Sequence, residues 1–270
     1  MISLYYLENI AISSLKRQPR RILPMEHVFA NGNAGTNAGQ APVPAGDQAG
    51  APRSLIEQAY RSLRRDIVEG RYEPGERLRV EHLRDNYQVS GGTLREALAL
   101  LVSDQLVVPQ AQRGFRVAPM SLADLEDLTR TRTLLECAAV RDSIAIGDVE
   151  WEARVVSAFH KLSRAEEKLL EDVVTGFEEW EACNRAFHEA LTSASPSRWI
   201  RHFQALLYQQ AQRYRRLSSR SAELPASTAH DEHREIFAAA MARDADRAER
   251  VIVQHIGLAL SVIKRQGILK

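Results

Sequence analysis

The sequence predicts a mostly α-helical protein in two unequal parts, with one small β-hairpin closing the first part. Three observations carry that expectation. From Leu55 onward apolar residues recur at three- and four-residue spacing, β-like runs occur only at residues 106–109 and 115–117, and a low-complexity stretch precedes everything else. With 44% hydrophobic and 26% charged residues the composition is that of an average soluble globular chain, which excludes collagen-like, wholly disordered and membrane-bundle classes. The longest apolar run, Ala97 to Val102, is far short of the roughly 20 residues that cross a bilayer. Residues 1–12 are apolar, but the basic Lys16, Arg17, Arg20 and Arg21 follow them, the reverse of the order in a secretory signal. Cys137 and Cys183 form no C-x-x-C pair and suit a reducing cytosol, so a cytoplasmic protein is expected. The net charge of +1 neither demands nor excludes a nucleic-acid partner, because a basic footprint need only be local.

Residues 1–52 are expected to be a disordered extension, since Ala30 to Pro52 consist largely of Ala, Gly, Asn, Gln and Pro and cannot offset their ordering entropy. Residues 53–119 then read as a small domain. Leu55, Ala59, Leu63, Ile67 and Val68 mark a first helix stopped by Gly70 and the turn Glu73-Pro74-Gly75-Glu76. Val80, Leu83 and Tyr87 mark a second, and Leu94, Leu98, Leu101 and Val102 a third from about Gly91 to Asp104. Two short helices joined by the tight Gln88-Val89-Ser90 connection form a helix-turn-helix pattern, which presents the start of its second helix to a DNA major groove. Leu106 to Pro109 and Phe115 to Val117 complete a hairpin, or wing, whose tip carries Arg113 and Gly114.

The strings Leu63-Arg64-Arg65-Asp66-Ile67-Val68-Glu69-Gly70, Pro74-Gly75-Glu76-Arg77-Leu78, Val89-Ser90, Leu94-Arg95-Glu96-Ala97-Leu98 and Arg113-Gly114-Phe115-Arg116-Val117 resemble the winged helix-turn-helix of GntR-type bacterial transcription regulators. The resemblance implies phosphate and base contacts from Ser90, Thr93 and Arg95, with Arg113 and Gly114 reaching the minor groove. The chemistry agrees. Hydroxyls and amides at a helix start suit phosphate, and an arginine pairs bidentately with guanine. Gly91-Gly92-Thr93 departs from the family, which commonly carries an arginine directly after the serine, so Arg79 or Arg84 is expected to supply part of the backbone contact.

Residues 120–270 read as five or six antiparallel helices, a bundle expected to bind an effector and to dimerise. Ser121-x-x-Asp124 is a capping pattern ahead of a stripe of Leu122, Leu125, Leu128, Leu135, Ala138 and Ala139. Gly147-Asp148 closes one helix and caps the next, Ser195-Pro196 opens another, Leu224-Pro225 breaks the chain and Asp244 begins the last helix. Trp151, Trp180 and Trp199 are expected to be core or packing residues. Asn184 and His188, four residues apart, emerge from one helical face, and His233 and His255 lie among inward apolar residues of later helices. Three imidazoles and an amide oxygen can therefore converge on one divalent ion such as Zn, Ni or Mn. His160, His202 and His230 fall outside this pattern and read as structural or surface residues.

The His188, His233 and His255 pattern also resembles the metal-binding FCD-type domain of the FadR subgroup, in which an aspartate commonly stands where this chain has Asn184. The same resemblance places Arg132 and Glu136, with Arg213 as a further anchor, at a site for a small carboxylic acid beside the metal. Residues 97–102 and 114–121 look most like subgroup members that control dicarboxylate catabolism, which makes a dicarboxylate such as glutarate the acid to test. The expectation is a homodimeric repressor, not an enzyme, that binds a double-stranded DNA operator under control of that acid. A metal-dependent hydrolase leaves the wing unexplained and lacks H-E-x-x-H, and a constitutive architectural DNA-binding protein leaves the polar cavity unexplained.

Overall fold

The structure, a computed structural model, describes residues 54–111, 113–219 and 226–269. The expected disordered extension, Gln112 at the wing tip and the break expected at Leu224-Pro225 lie outside the described residues. Helix α1 (Leu55–Val68) starts where the Ser54 hydroxyl accepts from the Glu57 amide, and it buries Ala59, Leu63 and Ile67. Strand β1 (Arg77–Leu78), α2 (Val80–Tyr87), α3 (Gly91–Ser103), β2 (Val107–Gln110) and β3 (Gly114–Val117) follow. Between α2 and α3 Gln88 adopts a left-handed conformation with φ 52°, which makes the sharp turn of the helix-turn-helix, while Val89 plugs into the core. The expected hairpin is two strands of a three-stranded antiparallel sheet ordered β1-β3-β2, in which Leu78 pairs with Phe115 and Val107 with Val117. Sequence pattern missed β1 because two residues are too few to show an alternation.

Six helices make the bundle: α4 (Leu122–Ile146), α5 (Val149–Glu171), α6 (Val173–Thr192), α7 (Arg198–Ser219), α8 (Ala226–Met241) and α9 (Ala245–Gln266). Ser121, Asp148 and Asp244 cap α4, α5 and α9 through their side chains, where the sequence put those starts. Helix α4 packs on α6, α7 and α9, and α5 packs on α6 and α8. Its buried seam differs from the expected stripe. Leu125, Leu128 and Ala139 are inside, but Ala138 is exposed and Leu135 only half-buried, because the seam runs through Arg132, Glu136 and Ser143. A 3.6-residue period that follows apolar residues alone loses a seam whose middle is polar.

Trp151 is fully buried, with its Nε1 donating to the Leu191 carbonyl, and Trp180 packs in the same core. Trp199 does not. It is 58% exposed at the start of α7 and lies against Arg198 and Phe203 of its own helix. No helix of the described residues is long and apolar enough to cross a membrane.

Helix α7 joins the two halves. Arg213 Nη2 donates to the Ala118 carbonyl (2.6 Å), Gln210 Nε2 donates to the Asp104 carbonyl, and Arg64 Nη2 donates to Gln212 Oε1 (3.3 Å).

Gly147 ends α4 at φ −60°, so its backbone tolerates any residue, but a Cβ there would lie 2.5 Å from the Trp151 ring and 2.6 Å from the Ser143 carbonyl. Gly147→Ala is therefore expected to cost roughly 1–3 kcal/mol by overpacking. At Gly267, φ +61° with nothing within 4 Å, alanine should cost only the left-handed penalty of about 1–2 kcal/mol. Denaturant melts of the two variants measure both, and a Gly147→Ala as stable as the parent would show that the α4–α5 corner is not packed this way.

Candidate metal centre and nucleic-acid interface

The start of α3 is built by its own hydroxyls. Ser90 Oγ accepts from the Thr93 amide (3.1 Å) and lies 2.9 Å from Thr93 Oγ1, so the two side chains cap α3. Arg79, Arg95 and Arg113 are exposed and make no ion pair among the described residues, while Arg84 lies 3.7 Å from Asp85. A local pairing of Arg95 with Glu96 is thus absent. A Cβ on Gly91 would stand 3.5 Å from Arg95 Nη1, so Arg95 folds back over the first turn of α3 beside the space that the missing side chain leaves. At the wing, Gly114 takes φ +86°, which favours glycine, and the Arg113 carbonyl accepts from Arg77 Nε and Nη2 at 3.2 and 3.0 Å.

Inside the bundle, His188 of α6, His233 of α8 and His255 of α9 meet. Their Nε2 atoms are 3.2 Å apart for His188 and His255 and 3.1 Å apart for His233 and His255. Each ring is held from behind by a different glutamate. His188 Nδ1 donates to Glu136 Oε2 (3.1 Å), His233 Nδ1 to Glu166 Oε1 (2.6 Å) and His255 Nδ1 to Glu232 Oε2 (3.0 Å). A carboxylate on Nδ1 fixes the proton there, so three Nε2 lone pairs face one another with no hydrogen between them. That arrangement is repulsive unless a cation sits among them. Donors about 2.1 Å from a metal lie about 3.0–3.4 Å from each other, which matches the spacing found.

Asn184 stands one turn before His188. Its Nδ2 donates to Tyr208 Oη (2.8 Å), which leaves Oδ1 buried and without a hydrogen-bond partner. An orphaned buried carbonyl oxygen one turn before His188 is a donor of the kind that could add to the three imidazoles. The residues fit a divalent metal.

Electrostatics keep the imidazoles ready to ligate. Burial lowers the His233 pKa against the pull of Glu166, and burial together with the other two histidines takes His255 well below its usual value, so both rings are neutral near pH 7. Burial pushes the Glu136 carboxyl up, but the Arg132 charge and the His188 hydrogen bond outweigh it and hold it at about 2. Burial raises Glu232 to about 7.

Arg132 is buried and binds Glu136 Oε1 through Nε (3.1 Å) and Nη2 (2.6 Å). It lines a cavity of about 70 Å³ together with Asn184, His188, His255 and Arg215, closed by Leu125, Leu128, Phe177 and Trp180. By the same measure that is room for roughly five waters. Glu136 is not in that lining; it faces an open groove on the other side of His188, with Thr192, Arg201 and Tyr208. Arg213 is not in either lining: its bond to Ala118 makes it a joint between the halves, not an effector anchor. Helix period explains the error, because Ala211, Tyr214, Arg215 and Ser218 form the inward face and Arg213 lies off it. His230 is likewise more than a surface residue, since its Nδ1 donates to the second oxygen of Glu166 (2.6 Å). Sequence reasoning missed Arg215, Glu166 and Glu181; only Glu232 had a signal, as the neighbour of His233.

The winged helix ahead of a histidine-centred bundle defines a class of two-part DNA-binding proteins, and sequence likeness identifies which. The pattern of bacterial regulatory proteins, gntR family, matches residues 55–117 and that of the FCD domain matches residues 127–258. The chain is 51% identical over 218 residues to the HTH-type transcriptional regulator BphR of Paraburkholderia xenovorans, covering 81% of this chain and 89% of that protein. It is 36% identical to the HTH-type transcriptional repressor GlaR of Escherichia coli, over 76% of this chain and 94% of that one. The fold matches a GntR transcriptional regulator from Rhodococcus sp. RHA1 with TM-score 0.63 at 24% identity, over 80% of this chain and 99% of that one. It also matches E. coli McbR/YncC with TM-score 0.64 at 23% identity, over 79% and 99%. The chain belongs to the GntR family and is a DNA-binding transcriptional regulator with an FCD domain, not an enzyme.

The depressed pKa values of His233 and His255 make acid destabilising in metal-free protein. Below about pH 6.5 the unfolded chain takes up protons that the folded one refuses, so stability falls as pH falls. Glu232 works the opposite way between pH 7 and about 4.5, but one carboxyl opposes two imidazoles. The melting temperature of chelator-treated protein should drop between pH 6.5 and 5, and a flat profile would mean that the rings are not buried neutral.

Proposed function

We propose that residues 53–119 bind one half-site of a palindromic operator, that residues 120–270 dimerise the protein and bind a small carboxylic acid beside one divalent metal, and that the acid controls operator affinity. The observation that carries this reading is the meeting of three imidazole Nε2 atoms, two of whose rings, His188 and His255, line one cavity with the buried Arg132. His188, His233 and His255 hold the metal, with Asn184 as a weak fourth ligand. The metal supplies a positive centre that takes a carboxylate oxygen at its open position. Arg132 presents its guanidinium to the same carboxylate, a pairing its planar fork favours. Glu136 orients both Arg132 and His188 from behind and does not touch the acid. A neutral amide at Asn184 favours Zn or Ni, bound mainly by nitrogen, over the harder Mn. The protein acts in the cytoplasm as a repressor, as the name of its relative GlaR describes that protein.

At the DNA, Ser90 and Thr93 with the first amides of α3 contact phosphate, Arg95 reads a base, and Arg79, Arg113 and Gly114 flank the site. Two winged helices related by the dimer's two-fold axis match two half-sites.

Three measurements test this. Operator selected from random-sequence DNA should be palindromic and bind one dimer, and Arg95→Ala should weaken it by roughly 1–3 kcal/mol; unchanged affinity would remove Arg95 from the interface. Elemental analysis should find one metal per chain in the parent and none in His233→Ala, while His202→Ala keeps it. Metal at full stoichiometry in His233→Ala would refute the ligand set. Glutarate should change operator affinity of metal-loaded protein by about 5- to 150-fold, the range of a coupling of 1–3 kcal/mol. Arg132→Ala should lose that response, and an Arg132→Ala that responds as the parent does would exclude the arginine from the site.

A further inference from the structure

We infer that Arg215 is a second carboxylate anchor in the cavity, so that the site selects acids carrying two carboxylates. The inference rests on the effector reading above. Arg215 lies on α7, across the bundle from Arg132 on α4, and lines the same cavity. The two arginines are arranged alike. Arg132 binds Glu136 side-on through Nε and Nη2, and Arg215 binds Glu181 side-on through Nε (3.1 Å) and Nη2. Each therefore keeps Nη1 without a partner among the described residues. A guanidinium has five N–H donors, and a side-on pair uses only those of one edge. The end-on edge of each stays available to a ligand.

Both guanidinium groups also stand on one aromatic ring. The Tyr208 ring centre is 5.6 Å from the Arg132 guanidinium carbon and 4.2 Å from that of Arg215. The two carbons are thus at most about 10 Å apart, and the shared ring restrains them both. Tyr208 is itself pinned by Asn184, which ties this platform to the histidine cluster. The remaining wall is apolar, formed by Leu125, Leu128, Phe177, Trp180 and Ile256.

A short diacid fits this chemistry. One carboxylate takes Arg132 and the metal's open position, the methylene chain lies on the apolar wall, and the second carboxylate takes the free edge of Arg215. An acid of the same length with one carboxylate would set a methyl group against a largely buried cationic N–H edge and leave that edge without its anionic partner, which is unfavourable.

Calorimetric titration of zinc-loaded protein with glutarate and with pentanoate, which has the same number of carbons and one carboxylate, decides the matter. Glutarate should bind about 10- to 100-fold more tightly, the worth of hydrogen bonds to a charged partner. In the double variant Glu181→Gln/Arg215→Met, which removes the buried pair together so that neither charge is stranded, the two acids should bind alike. The inference is overturned if pentanoate matches glutarate in the parent, or if the double variant keeps the parent's preference. Equal binding of both acids, lost in Arg132→Ala, would leave the effector reading standing and sink only the role of Arg215. Binding of neither acid would sink both. Should the double variant not fold, the comparison of the two acids on the parent still decides.

Discussion

Everything in the bundle's interior follows from one constraint, that three largely buried imidazoles with facing lone pairs must be kept in place. An imidazole left to itself in a dry core turns to satisfy whichever nitrogen it can. Here each Nδ1 is claimed by a carboxylate, so each ring has one orientation and one proton position. The carboxylates come from α4, α5 and α8, and the rings from α6, α8 and α9. Each buried carboxylate then needs its own answer. Glu136 is paired with Arg132, Glu166 is shared between His233 and His230, and Glu232, only half-buried, holds His255 at the edge of the cluster. The layers continue outward until they reach solvent at the partly exposed His230.

That shell explains what the sequence did and did not disclose. The winged helix was legible almost residue by residue because its signals are local: a serine cap, a turn of fixed length and a glycine at the wing. Its one omission, β1, exists only because β3 offers it an open edge, a fact of tertiary structure. The histidines were legible as a set because three of them sit among apolar neighbours at helical spacing. Their supports were not. Glu166 lies 67 residues from His233 and Glu136 lies 52 from His188, and among many surface glutamates nothing local marks them. On α4 the signal misled outright, since Ala138 of the expected stripe is exposed and Leu135 only half-buried while Arg132 and Glu136 are buried. Hydropathy assigns such residues to the opposite faces, because buried ion pairs are rare enough that a pattern must bet against them.

The displacement of Arg213 from cavity to joint bears on how the two halves communicate. Successive residues of α7 face different partners: Gln210, Gln212 and Arg213 bind the DNA-binding half, and Ala211, Tyr214 and Arg215 line the cavity. Tyr214 also donates to Asp124 and so ties α7 to the first turn of α4, just past the connection at residues 118–121. A ligand that draws on Arg132 and Arg215 pulls α4 and α7 against each other. It cannot rotate α7 by even a small angle without moving the hydrogen bonds to Ala118 and Asp104.

Such coupling needs no path of successive contacts, only a rigid element that both sites hold. What it does need is a difference. An acid that bound two settings of α7 equally would shift nothing, however tightly it bound. On the proposed reading the side-on pairs supply a source for that difference, because Glu181 and Glu136 fix where the free edge of each guanidinium lies, and a setting of α7 that displaces one edge would hold the acid less tightly. Burial of Arg213 against a single backbone carbonyl, without a carboxylate, lowers its pKa and leaves that joint weaker than an ion pair would be. A weak joint between a strongly braced cavity and a separately packed winged helix is where a modest binding energy can be converted into movement.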